Sequence, residues 1–458
     1  MLKLRANPRA EYWVRNIILN SHGDDLSDIK TLTDAKGDYF CMNKLIFDDI
    51  KSATIRQDIL NHIRKEGAVQ QAHMQMMTKR AQKRQHMAWR KVLSDVDDTL
   101  LSSGGVYPAG IDKRYARKVV YPGVLSFYRE LDLGTRGPEE WPEHRVGNLV
   151  FLSARPHVYK DMSEKSNFAK FEKLRQAKDG RVGMHTVPSL LAGDLASGSH
   201  FIATNDCEPL AVKKYSNFER YVSIYPEYKH VFVCDNGQGD VRAGEMMFDQ
   251  FPYEFEALYI HKIQDASKTY GFAPNRWRQK EFKPVFFRTY PEAALHAASC
   301  EPPLIRRSGL RRVCLDAVKD FDAIQPKQWA SRKQKSDRKM ELNQSLYEVN
   351  EFLKQNNLPE VGFVQTKQEW RNGEWVNTPY GRGIIRGHDP DFDMYDVELD
   401  LRPLDVQVAD HLQRVKDEAI RPRMSTSKDK QQVPPLETVL ETEEIADNDV
   451  DAANVGVA

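Results

Sequence analysis

The chain has 458 residues, with 67 Lys and Arg against 66 Asp and Glu, for a net charge of +1. At roughly 100–200 residues per domain the length allows about two to four domains. The balanced charge excludes a whole-chain basic field, so no nucleic-acid partner is expected. Hydrophobic residues make up 40% and aromatics 10%, enough for a buried core and too much for a wholly disordered chain. No run approaches the ~18 apolar residues of a membrane span. Cys41, Cys207, Cys234, Cys300 and Cys314 are scattered, with no CxxC pair. That excludes a zinc ribbon or disulfide framework and suits a reducing, cytoplasmic setting.

The N-terminus has no apolar core of the secretory kind. Its Lys3, Arg5, Arg9 and Arg15 against Glu11 match a transit peptide only weakly. HGDDLSD reads as a loop. Ile55, Ile59 and Ile63 fall four apart and predict a helix that Gly67 interrupts. A second helix is predicted to carry Met74, Met77 and the basic run Lys79–Lys91. That run is either a solvated helix face or a contact for anionic phospholipid head groups, giving peripheral membrane attachment.

From Trp89 the texture changes. The short apolar runs KVLSD, NLVFLS, HFIAT, HVFVCD and ALYIHKI alternate with helical stretches and predict a parallel sheet in an α/β fold. In such sheets ligands sit beyond the carboxyl ends of the strands. After Asp265 the prolines Pro274, Pro284, Pro291, Pro302 and Pro303 punctuate an irregular stretch. Two helical patterns follow, Leu310/Val313/Ala317/Phe321 and Leu342/Leu346/Val349/Leu353. The stretch around WVNTPYGRGIIRG and YDVELD reads as a small SH3-like β unit that would bind protein partners. After Lys430 there is no cation, and seven acids lie between Glu437 and Asp451, which predicts a disordered acidic tail.

The chemistry concentrates in SDVDDTLL, Ser94–Leu101. Asp95 and Asp97 share one side if the strand continues or the chain turns just after it. Two close carboxylates repel unless a cation lies between them or one is protonated. Mg²⁺ takes oxygen ligands of this kind. The same pair suits covalent phosphoryl transfer, one carboxylate attacking phosphorus and the other moving a proton. An EF-hand reading fails, because no Gly stands at the sixth position. Ser153 ends the strand in NLVFLSARP and would donate to a phosphate oxygen, with Arg155 beside it. Lys213 and Lys214 open a predicted helix and would neutralise the transferring group. HVFVCDNGQGD ends a strand at Asp235, with Asp240 five residues on.

The ordered series of acid pair, hydroxyl, lysine and second acid pair resembles the haloacid dehalogenase superfamily of aspartate-nucleophile phosphatases. SDVDDTL, FLSARPHVY and KKYSNFERYVSIYPEYKHVFVCDNGQGD are similar, more closely, to the fungal actin-patch phosphatidate phosphatase family. The resemblance covers Trp89–Asp265. It implies a Rossmann-like core, with Asp95 as nucleophile and Asp97 as general acid/base. Ser153 would bind phosphate. Lys214 fits the family lysine better than Lys213, by its spacing to Pro226. Asp235 would hold Mg²⁺ with Asp95 and the Asp97 carbonyl, Asp240 supporting, and Thr99 would steady the loop. Cys234 and Asn236 depart from the usual Gly and Ser.

The domain reading is then a helical region 1–88, a catalytic domain 89–265 and a mixed irregular and helical linker 266–364. The β unit occupies 365–422 and the tail 423–458. The expected substrate is phosphatidate. The alternatives are a soluble phosphate ester, a phosphoprotein, or a non-catalytic lipid- or protein-binding scaffold. GGVYPAG, Gly104–Gly110, reads as a flap. His157 is a candidate head-group contact, Cys234 a core thiol, and Asp206 and Glu208 loop acids.

Overall fold

The computed structural model describes residues 7–34, 41–80, 89–135, 147–156, 171–176, 183–193, 195–278, 280, 283–365, 370–378, 381–389, 394–400, 413–416 and 421–422. The chain divides into two compact units, Met1–Thr366 and Lys367–Ala458.

The larger unit is built on a six-stranded parallel sheet. Its strands are β1 (Arg90–Ser94), β2 (Leu149–Pro156), β3 (Ser189–Gly193), β4 (Lys229–Asp235), β5 (Phe255–His261) and β6 (Val285–Phe287). Their order is β3-β2-β1-β4-β5-β6, so the winding reverses between β1 and β4. Successive residues face opposite sides of a strand, and both sides are buried here. Val92, Phe151, Val231, Val233 and Tyr259 enter one core. Their neighbours Leu93, Leu152, Phe232, Cys234 and Ile260 enter the other. That is why the strands read as continuous apolar runs.

Nine of the helices position the sheet and the site: α1 (Pro8–Leu19), α2 (Gly23–Asp34), α3 (Ala53–Arg80), α4 (Val124–Leu133), α5 (Leu195–Thr204), α6 (Glu208–Ile224), α7 (Asp240–Gln250), α8 (Tyr290–Ser299) and α9 (Arg307–Asp322). With α10 (Arg332–Gln355), α4, α8 and α9 cover the first face. The second face is covered by α6 and α7, and the apolar stripes of α1–α3 join the same cluster.

Four sequence readings change. HFIAT is not a strand but the end of α5, and the edge strand is Ser189–Gly193. A five-residue apolar run satisfies either period, and only its surroundings choose. Gly67 does not interrupt α3, which runs unbroken from Ala53 to Arg80. It lies against Pro226, whose Cγ would stand 2.6 Å from any Cβ there, so the glycine marks a close approach. Residues 266–364 are no linker: they supply β6 and α8–α10, and so the sheet edge and most of one core face. The basic run is not one helix either. Residues 81–88 lie outside the described residues, and Arg90 and Lys91 are buried in β1. Arg90 pairs with Glu256 at 2.6 Å. The Lys91 ammonium stands 3.9 Å from the centre of the Tyr225 ring and 4.6 Å from that of Tyr228. Neither can reach a lipid surface.

Charges pin the N-terminal helices. Lys30 of α2 pairs with Glu227 at 2.6 Å, both buried, and also donates to the Ile224 carbonyl at 3.0 Å. Asp34 accepts from the Tyr221 and Tyr225 hydroxyls at 3.1 and 2.6 Å.

The smaller unit holds an antiparallel sheet of β7 (Trp375–Thr378), β8 (Gly381–Asp389), β9 (Met394–Leu399), β10 (Gln413–Lys416) and β11 (Arg421–Pro422). Its order is β10-β9-β8-β7-β11. Trp370, Val376, Ile385, Tyr395 and Val397 form its core. The acidic tail expected at 423–458 lies outside the described residues. Among those residues no helix is long and apolar enough to cross a membrane.

Breaking a buried ion pair strands a charge and costs about 3–5 kcal/mol, whereas an apolar replacement of both partners restores much of it. Lys30→Met should therefore lower the urea midpoint strongly, and Lys30→Met with Glu227→Leu should recover more than half of the loss.

Candidate active site

β1 carries Asp95 to the carboxyl edge of the sheet, where the chain turns. Leu100 and Leu101 donate backbone N–H groups to the Val96 carbonyl at 3.1 and 2.9 Å. The chain thus turns just after Asp95 and does not continue as a longer strand. Asp98 closes the turn with φ of 55°. Its buried carboxylate accepts from the Ser103 N–H and hydroxyl at 2.7 and 3.0 Å, and from the Ile111 and Asp112 N–H groups at 2.7 and 2.9 Å. Asp98 therefore shapes the loop 99–112. Its role was missed in the sequence, where it counted only as the last acid of DVDD.

His261 braces the same turn from β5. Its Nδ1 lies 2.8 Å from the Asp98 carbonyl and its Nε2 lies 3.0 Å from Arg114 Nη2. A guanidinium only donates, so Nε2 accepts and Nδ1–H donates to Asp98. Burial, with Arg114 alongside, pulls this imidazole down to about 3, so it is neutral.

Asp235 ends β4. Gly237 N–H donates to its Oδ1 at 2.6 Å, and the Thr99 hydroxyl reaches its Oδ2 at 3.5 Å. Asp240 sits in the first turn of α7. The Lys214 ammonium, projecting from α6, bonds Asp95 Oδ1 at 2.7 Å and also bonds Asp240 Oδ1. All three side chains are buried. Burial alone would lower the Lys214 ammonium; Asp240 and Asp95 overcome it and hold the ammonium above its usual range. Lys214, not Lys213, is the lysine of the cluster, and Lys213 is half-buried one position away.

Oxygen atoms of Asp95, Asp235 and Asp240 all lie within 4.8 Å of one another. Burial pushes the Asp240 carboxyl up to about 7, Lys214 opposing and Asp95 and Asp97 adding to it. Burial also raises Asp235 well above the carboxylate range, reinforced by Asp240, Asp95 and Asp98. Asp240 Oδ2 is buried with no hydrogen-bond partner. This donor set fits a hard divalent cation. The ligands are all oxygen, one buried acceptor is left over, and the mutual repulsion is what a cation would relieve.

The remaining candidates are placed as follows. Asp97 is half-buried in the turn, and its charge acts on Asp240. Ser94 lies opposite Phe151 in the sheet, so buried Ser153 stands two residues on, at the same carboxyl edge. Arg155 lies in β2, but its side chain and the whole of His157 fall outside the described residues. Cys234 is a fully buried thiol that burial holds well above its usual value. Asn236 donates to the Gln264 carbonyl and Thr269 hydroxyl at 3.1 and 2.9 Å, and accepts from the Ile263 and Gln264 N–H groups at 2.9 and 3.2 Å. It ties the end of β4 to the loop after β5. Asp206 accepts the Glu208 N–H at 3.0 Å, and Glu208 takes Tyr270 and Arg242 at 3.1 and 3.3 Å, so both serve the local loop. In GGVYPAG the Tyr107 ring packs on Phe201 at 5.8 Å, and Gln238 donates to the Pro108 carbonyl at 3.0 Å. The loop thereby spans from β1 to α5 and the turn after β4.

No protein family, no curated protein and no solved structure matches the chain.

A carboxyl that binds its proton more tightly folded than unfolded adds stability below its unfolded value and loses it as pH rises through the folded one. In the cation-free protein, melting temperature should therefore fall as pH rises from 3.8 towards about 7. Asp240→Asn should flatten that slope, and added Mg²⁺ should restore stability at the upper end.

Proposed function

We propose that the protein is a Mg²⁺-dependent phosphatase of the haloacid dehalogenase type, working through an aspartyl-phosphate on Asp95 and converting phosphatidate to diacylglycerol and phosphate. The observation that carries the reading is the Lys214 ammonium, buried and bonded to Asp95 and Asp240 where the sheet reverses its winding. A ligand site is expected at that reversal.

Each residue then has a task. An Asp95 carboxylate oxygen attacks phosphorus in line, and the ester P–O bond breaks. Asp97 gives its proton to the departing alkoxide oxygen. It next takes a proton from the water that attacks the acyl phosphate, so that inorganic phosphate leaves and Asp95 is restored. Lys214 lowers the charge on the phosphoryl oxygens, and the Ser153 hydroxyl donates to one of them. Arg155 would pair with another. Thr99 and Gly237 hold Asp235 in place. Mg²⁺, held by Asp95, Asp235 and Asp240 with the Asp97 carbonyl, would supply further charge neutralisation at the transferring group.

Apolar surface on the loop 99–112 and on α5 supports a lipid ester. Val106, Tyr107, Ile111 and Ile202 are 41%, 53%, 42% and 58% exposed. Ile111 reaches the site itself: a Cβ on Gly237 would meet Asp235 Oδ1 at 2.9 Å and Ile111 Cγ1 at 3.2 Å. An acyl chain entering beside Ile111 would cover this surface.

Phosphate release from phosphatidate in mixed micelles should require Mg²⁺ and vanish in Asp95→Asn. Asp97→Asn should slow it by about 10²–10⁴-fold, the usual contribution of general acid–base catalysis. Release from a soluble aryl phosphate but not from the lipid would retain the chemistry and discard the lipid. Silence on both would discard the phosphatase reading. Ile111→Ser should raise KM for micellar phosphatidate and leave the soluble ester unchanged.

A further inference from the structure

Far from these carboxylates in sequence, α1, α2 and α3 bring two imidazoles and a carboxylate together. His22 lies at the entry to α2, where its carbonyl accepts the Leu26 N–H at 3.4 Å. His62 and Glu66 lie four apart on α3 and so share a face. One ligand atom from each of the three lies within 4.8 Å of the others. We propose that His22, His62 and Glu66 form a zinc-class transition-metal site that clamps the entry of α2 onto α3.

The donors differ in kind from those of the catalytic carboxylates. Imidazole nitrogen selects zinc and its neighbours, whereas an all-oxygen set suits Mg²⁺. The groups behind the ligands are also in place. His62 Nε2 lies 2.9 Å from the Ser21 carbonyl. A carbonyl only accepts, so Nε2 carries the proton and Nδ1 keeps its lone pair for a metal. Metal-binding histidines are commonly oriented in this way. Glu66 Oε2 accepts the Gly23 N–H at 3.2 Å, which orients the carboxylate and leaves Oε1. Glu66 Oε1 stands 3.2 Å from His22 Nδ1. Two ligands around a tetrahedral zinc, each at ~2.0–2.1 Å, stand about 3.3 Å apart, so this pair already has the spacing of one edge.

The two imidazoles stand edge to face with centroids 5.2 Å apart. A plain ion pair would need only His22 and Glu66; the third ligand with its fixed tautomer is what a metal adds. The His22 side chain is 64% exposed, which gives an entry path and room for water as fourth ligand. Gln70 continues the seam by donating to Asp24 at 3.1 Å, so a bound metal would strengthen a contact the helices already make.

The test uses the full chain without a histidine tag, in excess Mg²⁺ to fill the oxygen site. Zinc is titrated by calorimetry, and cobalt by its visible absorption, which is intense in tetrahedral coordination and weak in the octahedral coordination of an all-oxygen Mg²⁺ site. One equivalent of zinc should bind and raise the melting temperature. The cobalt band and the zinc-induced shift should both be lost in His62→Ala and Glu66→Gln, and kept in Asp95→Asn. His22→Ala alters an exposed side chain and should lose them while folding normally, so misfolding of the helix variants would not shield the proposal. Failure of the wild type to bind zinc overturns it. So does zinc binding that His22→Ala and Glu66→Gln leave unchanged.

Discussion

One buried ammonium holds the centre of this protein together. Lys214 lies between Asp95 and Asp240, with Asp235 in the same group of acids. Isolated charges at such depth are expensive, and each becomes tolerable only through its partners. Lys214 depends on the two carboxylates to remain charged, and they depend on it to remain close. The cluster still holds more carboxylates than cations, so its balance favours a further positive ion. This demand underlies both the local stability and the proposed chemistry.

The rest of the larger unit keeps that cluster in register. α6 carries Lys214 at one point, and Tyr221 two turns on at another, where the hydroxyl meets Asp34 of α2. The N-terminal helices are thereby tied to the helix that presents the ammonium. On the other side Asp98, Thr99 and Asn236 brace the loops around Asp95, Asp97 and Asp235. Short polar side chains that bond backbone groups are well suited to this, because they replace the ladder hydrogen bonds lost where a strand ends.

Much of the α/β core was legible. Four of the five expected strands, those at KVLSD, NLVFLS, HVFVCD and ALYIHKI, lie in the parallel sheet. The faces Leu310/Val313/Ala317/Phe321 and Leu342/Leu346/Val349/Leu353 are buried. HFIAT misled because Phe, Ile and Thr favour strands locally, while Phe201 is buried with Cys207 and Leu210 on a helix; tertiary burial overrides so short a preference. Residues 266–364 misled because proline density suggested irregularity. The prolines lie between elements or in first turns, as Pro291 does in α8, where a missing N–H costs little. The basic residues at 90 and 91 misled because charge suggests exposure. Glu256 and a cage of tyrosines let both be buried.

By itself the sequence determined the chemistry that can assemble: acids at element ends, a lysine pair that lies within α6 and does not open it, and apolar runs long enough for a two-faced sheet. These are local properties, set by residue type and period. Only the tertiary structure decided between Lys213 and Lys214. It made Asp98 a loop-builder beside Asp97, and it brought His22 to His62 and Glu66. Asp95 and Lys214 lie 119 positions apart, and no local periodicity carries information over that distance. The reversal of winding between β1 and β4, together with the burial it imposes, converts spacing along the chain into contact in space.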